Sequence, residues 1–101
     1  MRIISERTLS EFARKHPDSK SPLERWVSII KTLKLSNLNQ INDFFGSADI
    51  LPNNRIIFNI GGNKYRLVTR IHVTKAGKQD VIYTIWIGTH SEYNKIDAST
   101  I

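Results

Sequence analysis

The feature that most constrains this chain lies between residues 55 and 73. There Arg-Ile-Ile-Phe-Asn-Ile leads into Gly61-Gly62-Asn63 and then into Lys-Tyr-Arg-Leu-Val-Thr-Arg-Ile-His-Val. β-Branched and aromatic residues dominate both runs, and successive side chains of an extended chain point to opposite faces. Glycine and asparagine between the runs accept the positive φ that a tight hairpin turn needs. An antiparallel pair is therefore expected, its second strand running from Lys64 to Val73. Tyr65, Leu67, Thr69, Ile71 and Val73 would share one face, and Arg66, Val68, Arg70 and His72 the other. After the polar, glycine-bearing loop Lys75-Ala-Gly-Lys-Gln-Asp80, the run from Val81 to Ile87 reads as a third strand.

The first half of the chain keeps a different period. Arg2-Ile3-Ile4 is a short β-branched start, and Ser5 followed by Glu6 looks like a helix N-cap with an acid in the first turn. Leu9, Phe12 and Ala13 recur at three-and-four spacing up to His16-Pro17, a cationic last turn and a stop, so a helix is expected from Glu6 to Lys15. Ser21-Pro22 opens a second helix with proline in its first position, and Leu23, Trp26, Val27, Ile30 and Leu33 form its apolar stripe. Trp26 belongs with the core on this reading. A third short helical turn takes in Leu38, Ile41, Phe44 and Phe45 and ends at Gly46. The order is a strand, two or three helices and a three-strand antiparallel meander, followed by a tail after Gly88. This is an α+β arrangement with helices packed on one face of a mainly antiparallel sheet. No repeat or linker interrupts the 101 residues, which are read as a single domain spanning 1 to 101.

Composition narrows the function. The absence of cysteine excludes disulfides, thiolate zinc sites and cysteine nucleophiles, and fits a reducing, cytoplasmic setting. No apolar run is long enough for a signal peptide or a membrane span. The net charge is +6, with eight Lys and Arg against six acids over residues 1 to 52 and seven against three over residues 53 to 101. Such an excess, concentrated toward the C-terminal half, attracts polyanions and points to nucleic acid.

Arg66 and Arg70 are four residues apart on one strand, so both project to one face about 13 Å apart. Arginine suits phosphate because its planar fork donates paired hydrogen bonds and stays charged. The alternative is a solvated face on which these arginines pair with Glu92, Asp80 or Asp97. Gly88-Thr89-His90-Ser91-Glu92-Tyr93 follows the last strand as a loop and offers an imidazole and a phenol three residues apart. His90 can exchange protons near neutrality, and Tyr93 can hydrogen-bond or stack on a base, although a lone loop histidine is more often structural or simply exposed. His72 shares the arginine face or is simply solvated. Strict alternation groups Trp86 with Ile82 and Thr84, opposite Val81, Tyr83, Ile85 and Ile87. If those four face the helices, Trp86 lies beside the arginines, where an aromatic among cations suits single-stranded RNA. His16 reads as a helix C-terminal cation. No histidine pair has zincin spacing and no phosphate-binding glycine loop is present, so neither a metal nor a cofactor is expected.

The run from Asn54 to Val68 containing GNKYRLV, together with IGTHSEY over Ile87 to Tyr93, resembles the HigB-type toxins of bacterial toxin–antitoxin pairs. The opening Met1-Arg2-Ile3-Ile4-Ser5 and the His16-Pro17 step also fit. That family lies within the RelE/ParE superfold, whose strand, helical hairpin and antiparallel sheet match the order above. The resemblance implies ribosome-dependent, metal-independent cleavage of translated mRNA in the 30S A site. It further implies a HigA-like helix-turn-helix antitoxin, with operator DNA bound only through the toxin–antitoxin complex. Under that reading Arg66 and Arg70 contact phosphate and His90 and Tyr93 serve proton transfer or base stacking. Lys64 and Lys95 add backbone contacts, and Asn63, His72 and Trp86 join the RNA-binding surface. One departure stands out: the RelE branch often carries an arginine just past the last strand, where this chain has Thr89-His90. Two other classes stay open, a noncatalytic gyrase inhibitor on the ParE pattern and a ribosome- or RNA-binding module without chemistry.

Overall fold

The chain runs β1 (Arg2–Ile4), α1 (Glu6–Lys15), a 3-10 turn (Pro17–Ser19), α2 (Lys20–Thr32), a second 3-10 turn (Leu38–Gln40), α3 (Ile41–Phe44), β2 (Asp49–Leu51), β3 (Arg55–Ile60), β4 (Tyr65–His72), β5 (Val81–Thr89) and α4 (His90–Tyr93). The structure is a computed structural model that describes residues 1–35, 37–73 and 79–101. Most of the polar loop expected before β5, residues 74–78, lies outside the described residues. The described strands form one sheet in the order β1-β5-β4-β3-β2. Every pairing is antiparallel except the edge pair of β1 with β5. This is the expected α+β, RelE-like arrangement.

The Gly-Gly-Asn hairpin forms as the sequence predicts, with Ile60 opposite Tyr65 and both glycines at positive φ, 65° and 72°. A second hairpin was not expected. β2 adds a fourth antiparallel strand to the meander, and its turn to β3 is made by Asn53 and Asn54 at φ 64° and 59°, values that asparagine tolerates better than most residues. Proline at position 52 and a strand of only three residues hide this hairpin from a periodicity reading. The second helix also starts earlier than expected, at Lys20, which moves Pro22 to the third helical position. That position still lacks an intrahelical acceptor for its N–H, so proline is tolerated.

The sheet's two faces bury very different amounts. On one face α1 and α2 cover a core that includes Leu9, Leu23, Trp26, Ile30, Phe58, Leu67, Ile71 and Ile82. The Trp26 and Phe58 rings meet edge-on at 5.4 Å, and Phe45 meets Phe58 the same way at 5.0 Å. On the other face a smaller cluster of Ile57, Val68 and Ala98 is lined by Ile85, Trp86, Tyr93 and Ile96. The segment after β5 therefore folds back over this second face.

A bulge decides which residues of β5 reach that second face. Val68 pairs with Trp86 but Thr69 pairs with Thr84, leaving Ile85 as the extra residue. Strict alternation grouped Val81, Tyr83, Ile85 and Ile87 on one face, opposite Ile82, Thr84 and Trp86, and the structure splits both groups. Ile82 and Ile87 pack against the helix-side core, whereas Ile85 and Trp86 both belong to the second cluster. Trp86 does lie on the arginine face, but the phase shift at Ile85 puts it there.

Candidate functional site

The site grows from a row of three residues across the middle of the sheet: Asn59 on β3, Arg66 on β4 and Gly88 on β5. Gly88 needs to be glycine for space. A Cβ there would sit 2.6 Å from the six-membered ring of Trp86 and 3.0 Å from Glu92 Oε1. The Trp86 ring thus leans across Gly88 toward Arg66's row, and its centre is 6.2 Å from that of Tyr93.

Just past Gly88 the expected loop is a helical turn instead. Thr89 Oγ1 accepts from the Glu92 N–H at 3.2 Å, and Glu92 Oε1 accepts from the Thr89 N–H at 2.8 Å, a reciprocal capping box. The Thr89 backbone N–H and hydroxyl hold the Glu92 carboxyl below the ordinary glutamate range. His90 N–H donates to the Lys64 carbonyl at 3.3 Å, which ties α4 to the start of β4. Residues three apart on a helical turn share a side, so His90 and Tyr93 both face Arg66.

Arg66 joins these groups. Its Nε donates to His90 Nε2 at 3.1 Å, and its guanidinium carbon lies 4.8 Å from the centre of the Tyr93 ring. One terminal nitrogen pairs with Asp49 Oδ2 at 3.2 Å. The side chain of Arg66 is only 18% exposed, whereas that of Asp49 is 59% exposed. Because Nε2 accepts a hydrogen bond, neutral His90 carries its proton on Nδ1. Arginine has five N–H donors, so most of the fork remains open to a ligand after these two contacts.

The HigB_toxin family model, a RelE-like toxic component of a toxin–antitoxin system, matches residues 19–96. The chain belongs to this family. No curated protein matches it. The matched stretch contains Asp49, Arg66, Trp86, His90 and Tyr93, so the whole cluster lies within it. As the toxic component of a pair, this HigB-type toxin has an antitoxin as its counterpart. Among the described residues, no helix is long and apolar enough to cross a membrane.

Of the residues singled out in the sequence, the fold of this toxin brings Arg66, His90, Tyr93 and Trp86 together. Arg70 ends elsewhere, with its guanidinium 5.4 Å from the centre of the Tyr83 ring. His72 is exposed on the same side near Tyr83. Lys64 pairs with Asp18 at 3.0 Å, and the Tyr65 hydroxyl donates to the same carboxylate at 2.6 Å. The Tyr65 hydrogen bond, then Lys64, hold the Asp18 carboxyl below its ordinary range, and the bond to Asp18 raises the Tyr65 phenol. Asn63 and Lys95 are exposed. His16 caps α1 as expected and stacks on Phe12 at 4.3 Å. Asp49 was missed: the anticipated partners of Arg66 were Glu92, Asp80 and Asp97, and only the pairing of β2 with β3 carries Asp49 to it. The capping box could have been found, since Thr89-His-Ser-Glu92 has its spacing. Among the described residues no three His, Asp or Glu side chains form a metal-binding group.

Proposed function

We propose that this toxin is an endoribonuclease that cuts translated mRNA on the ribosome without a metal, with Arg66, His90 and Tyr93 as its working groups. The observation that carries the reading is the contact of one half-buried arginine with both an imidazole nitrogen and a phenol ring. RNA supplies its own nucleophile, so the protein needs only a base, an acid and a cation in one place.

The reaction runs as follows. A phosphate of the message takes the donors of Arg66, which releases His90 Nε2 from its hydrogen bond. The freed lone pair accepts the proton of the ribose 2′-hydroxyl, and the 2′-oxygen attacks the adjacent phosphorus in line. The phosphorus–5′-oxygen bond breaks, and the Tyr93 hydroxyl gives its proton to the departing 5′-oxygen. The products are a 2′,3′-cyclic phosphate and a 5′-hydroxyl end, and a return of the proton from His90 to Tyr93 resets the site. Arg66 balances charge on the non-bridging oxygens, and its partial burial strengthens that interaction. Trp86 offers a stacking surface beside the phosphate, with Lys64, Lys95 and Asn63 nearby for the sugar–phosphate chain. The ribosome contributes by presenting the message in a reactive geometry. A HigA-like antitoxin neutralises the toxin, and operator DNA is bound only through that complex.

The test is to induce the protein alone and together with its neighbouring-gene product and to map the 5′ ends of cellular mRNA. Ends in phase with codons, suppressed by the neighbour and lost in Arg66→Ala, His90→Ala and Tyr93→Ala, are expected. Cleavage retained by all three variants overturns the assignment of residues. Intact mRNA accompanied by DNA damage points instead to gyrase.

A further inference from the structure

The proposed cleavage leaves one charged side chain of α4 without a task. Glu92 lies between His90 and Tyr93, the two groups that move protons in that reaction. Residues one or two apart on a helical turn do not face each other, so Glu92 turns away from the side on which His90 meets Arg66. Its carboxylate reaches back to the start of the turn instead. Oε1 takes the Thr89 N–H at 2.8 Å, over the space that Gly88 leaves open. The Thr89 N–H, then the Thr89 hydroxyl, hold this carboxyl below the ordinary glutamate range, so near neutrality it has no proton to give and is a weak base.

We infer that Thr89 and Glu92 are positioning residues for the cleavage: their reciprocal cap keeps residues 90–93 in a helical turn and so seats His90 and Tyr93 against Arg66. The inference rests on the cleavage reading for the chemistry that this turn carries. Its physical basis is the cap. α4 has four residues, and a single helical turn fixes too many dihedrals for too few hydrogen bonds to hold by itself. Its first N–H groups also have no acceptor within the helix. Three bonds at the start of the turn offset this: the His90 N–H to the Lys64 carbonyl at 3.3 Å, the Glu92 N–H to Thr89 Oγ1 at 3.2 Å, and the Thr89 N–H to Glu92 Oε1. The Thr89–Glu92 pair makes two of the three. Residues three apart share a side only while the turn is helical, and on that side His90 Nε2 lies 3.1 Å from Arg66 Nε and the Tyr93 ring 4.8 Å from the guanidinium carbon. Unwinding the turn would part these groups, and a misplacement of about 1 Å can cost about 100-fold in rate.

Single-turnover cleavage by the full chain in a reconstituted translation reaction tests this, with the toxin concentration varied to separate rate from binding. Glu92→Ala and Thr89→Val are expected to lower the maximal rate about 10-fold or more while the half-saturating concentration stays within about twofold. Glu92→Gln and Thr89→Ser keep the groups that a capping box needs, and should cut within about threefold of the wild-type rate. A nuclear Overhauser contact between the Arg66 Nε–H and the His90 ring should persist in Glu92→Gln and vanish in Glu92→Ala. Glu92 is exposed, so its variants are expected to fold with an unchanged urea midpoint. Glu92→Gln as inactive as Glu92→Ala, with the Arg66–His90 contact intact, overturns the positioning role, because a carboxylate is then needed for the chemistry itself. Glu92→Ala cutting at the wild-type rate overturns it too. Both results leave the cleavage reading standing, since the wild type still cuts. A wild-type chain that makes no cuts overturns the cleavage reading and, with it, the part of the cap in cleavage.

Discussion

The two faces of β4 are made by alternate residues of one strand, yet they are closed by different means. Leu67 and Ile71 enter a core roofed by α1 and α2 and anchored by fully enclosed Trp26 and Phe58. Arg66 and Val68 enter a thin layer that α4 and the segment after it cover through Tyr93, Ile96 and Ala98. The first face is deep enough to supply most of the fold's stability. The second is deep enough to half-bury an arginine and shallow enough to leave its partner Asp49 in water. A cation in that position is partly dehydrated without being sealed off, which strengthens its pull on an incoming phosphate.

Substitutions on the two faces should separate stability from function. The largest stability effect is expected from Trp26→Ala, which empties a buried ring site and should cost about 3–5 kcal/mol in urea unfolding. Whatever fraction remains folded should keep its specific activity. If activity per folded molecule falls as steeply as stability, the helix-side core is not independent of the site. Gly88→Ala comes next, because the added methyl must displace the Trp86 ring 2.6 Å away or the Glu92 carboxylate. A loss of about 1–3 kcal/mol is expected from such overpacking, accompanied here by a loss of cleavage, since Trp86 leans toward Arg66. Unchanged stability and activity would mean that the ring is not held across Gly88.

The smallest effect concerns Asp18, in the turn between α1 and α2, which meets Tyr65 and Lys64. Its carboxyl is held below the ordinary range by the Tyr65 hydroxyl first and by Lys64 second. A depressed folded-state value gives stability that is present above the ordinary aspartate value of about 3.9 and is lost as pH falls through the lowered one. Wild type should therefore exceed Asp18→Asn in urea midpoint at about pH 7, and the gap should close by about pH 2. A gap of constant size across that range would show that the charge of Asp18 plays no part.

Much of this was legible in the sequence because the signals were local. The Gly61-Gly62-Asn63 turn fixed one hairpin, the stripe through Trp26 and Ile30 fixed α2, and the alternation along β4 sent Arg66 and Val68 to the same side. What escaped depends on phase shifts or on contacts between distant segments. The extra residue at Ile85 reverses the inside–outside order of half of β5, and nothing in its own type announces a bulge. Asp49 is an ordinary acid until the β2 hairpin, whose turn rests on left-handed Asn53 and Asn54, lays it beside Arg66. The two arginines looked equivalent by spacing. They differ because Arg66 lies beside α4 and Asp49, whereas Arg70 lies over the Tyr83 ring and opposite Arg55.

The most direct measurement is a double-mutant cycle on mRNA cleavage in a reconstituted translation reaction, using Arg66→Ala, His90→Ala and the combined variant. Groups that act as one unit lose little more when both are removed than when either is. Each single variant is expected to lose about 100-fold or more, and the combined variant to be no worse than about threefold below the poorer single. Losses that multiply, or a single variant that keeps wild-type cleavage, would contradict a site built on the Arg66–His90 contact.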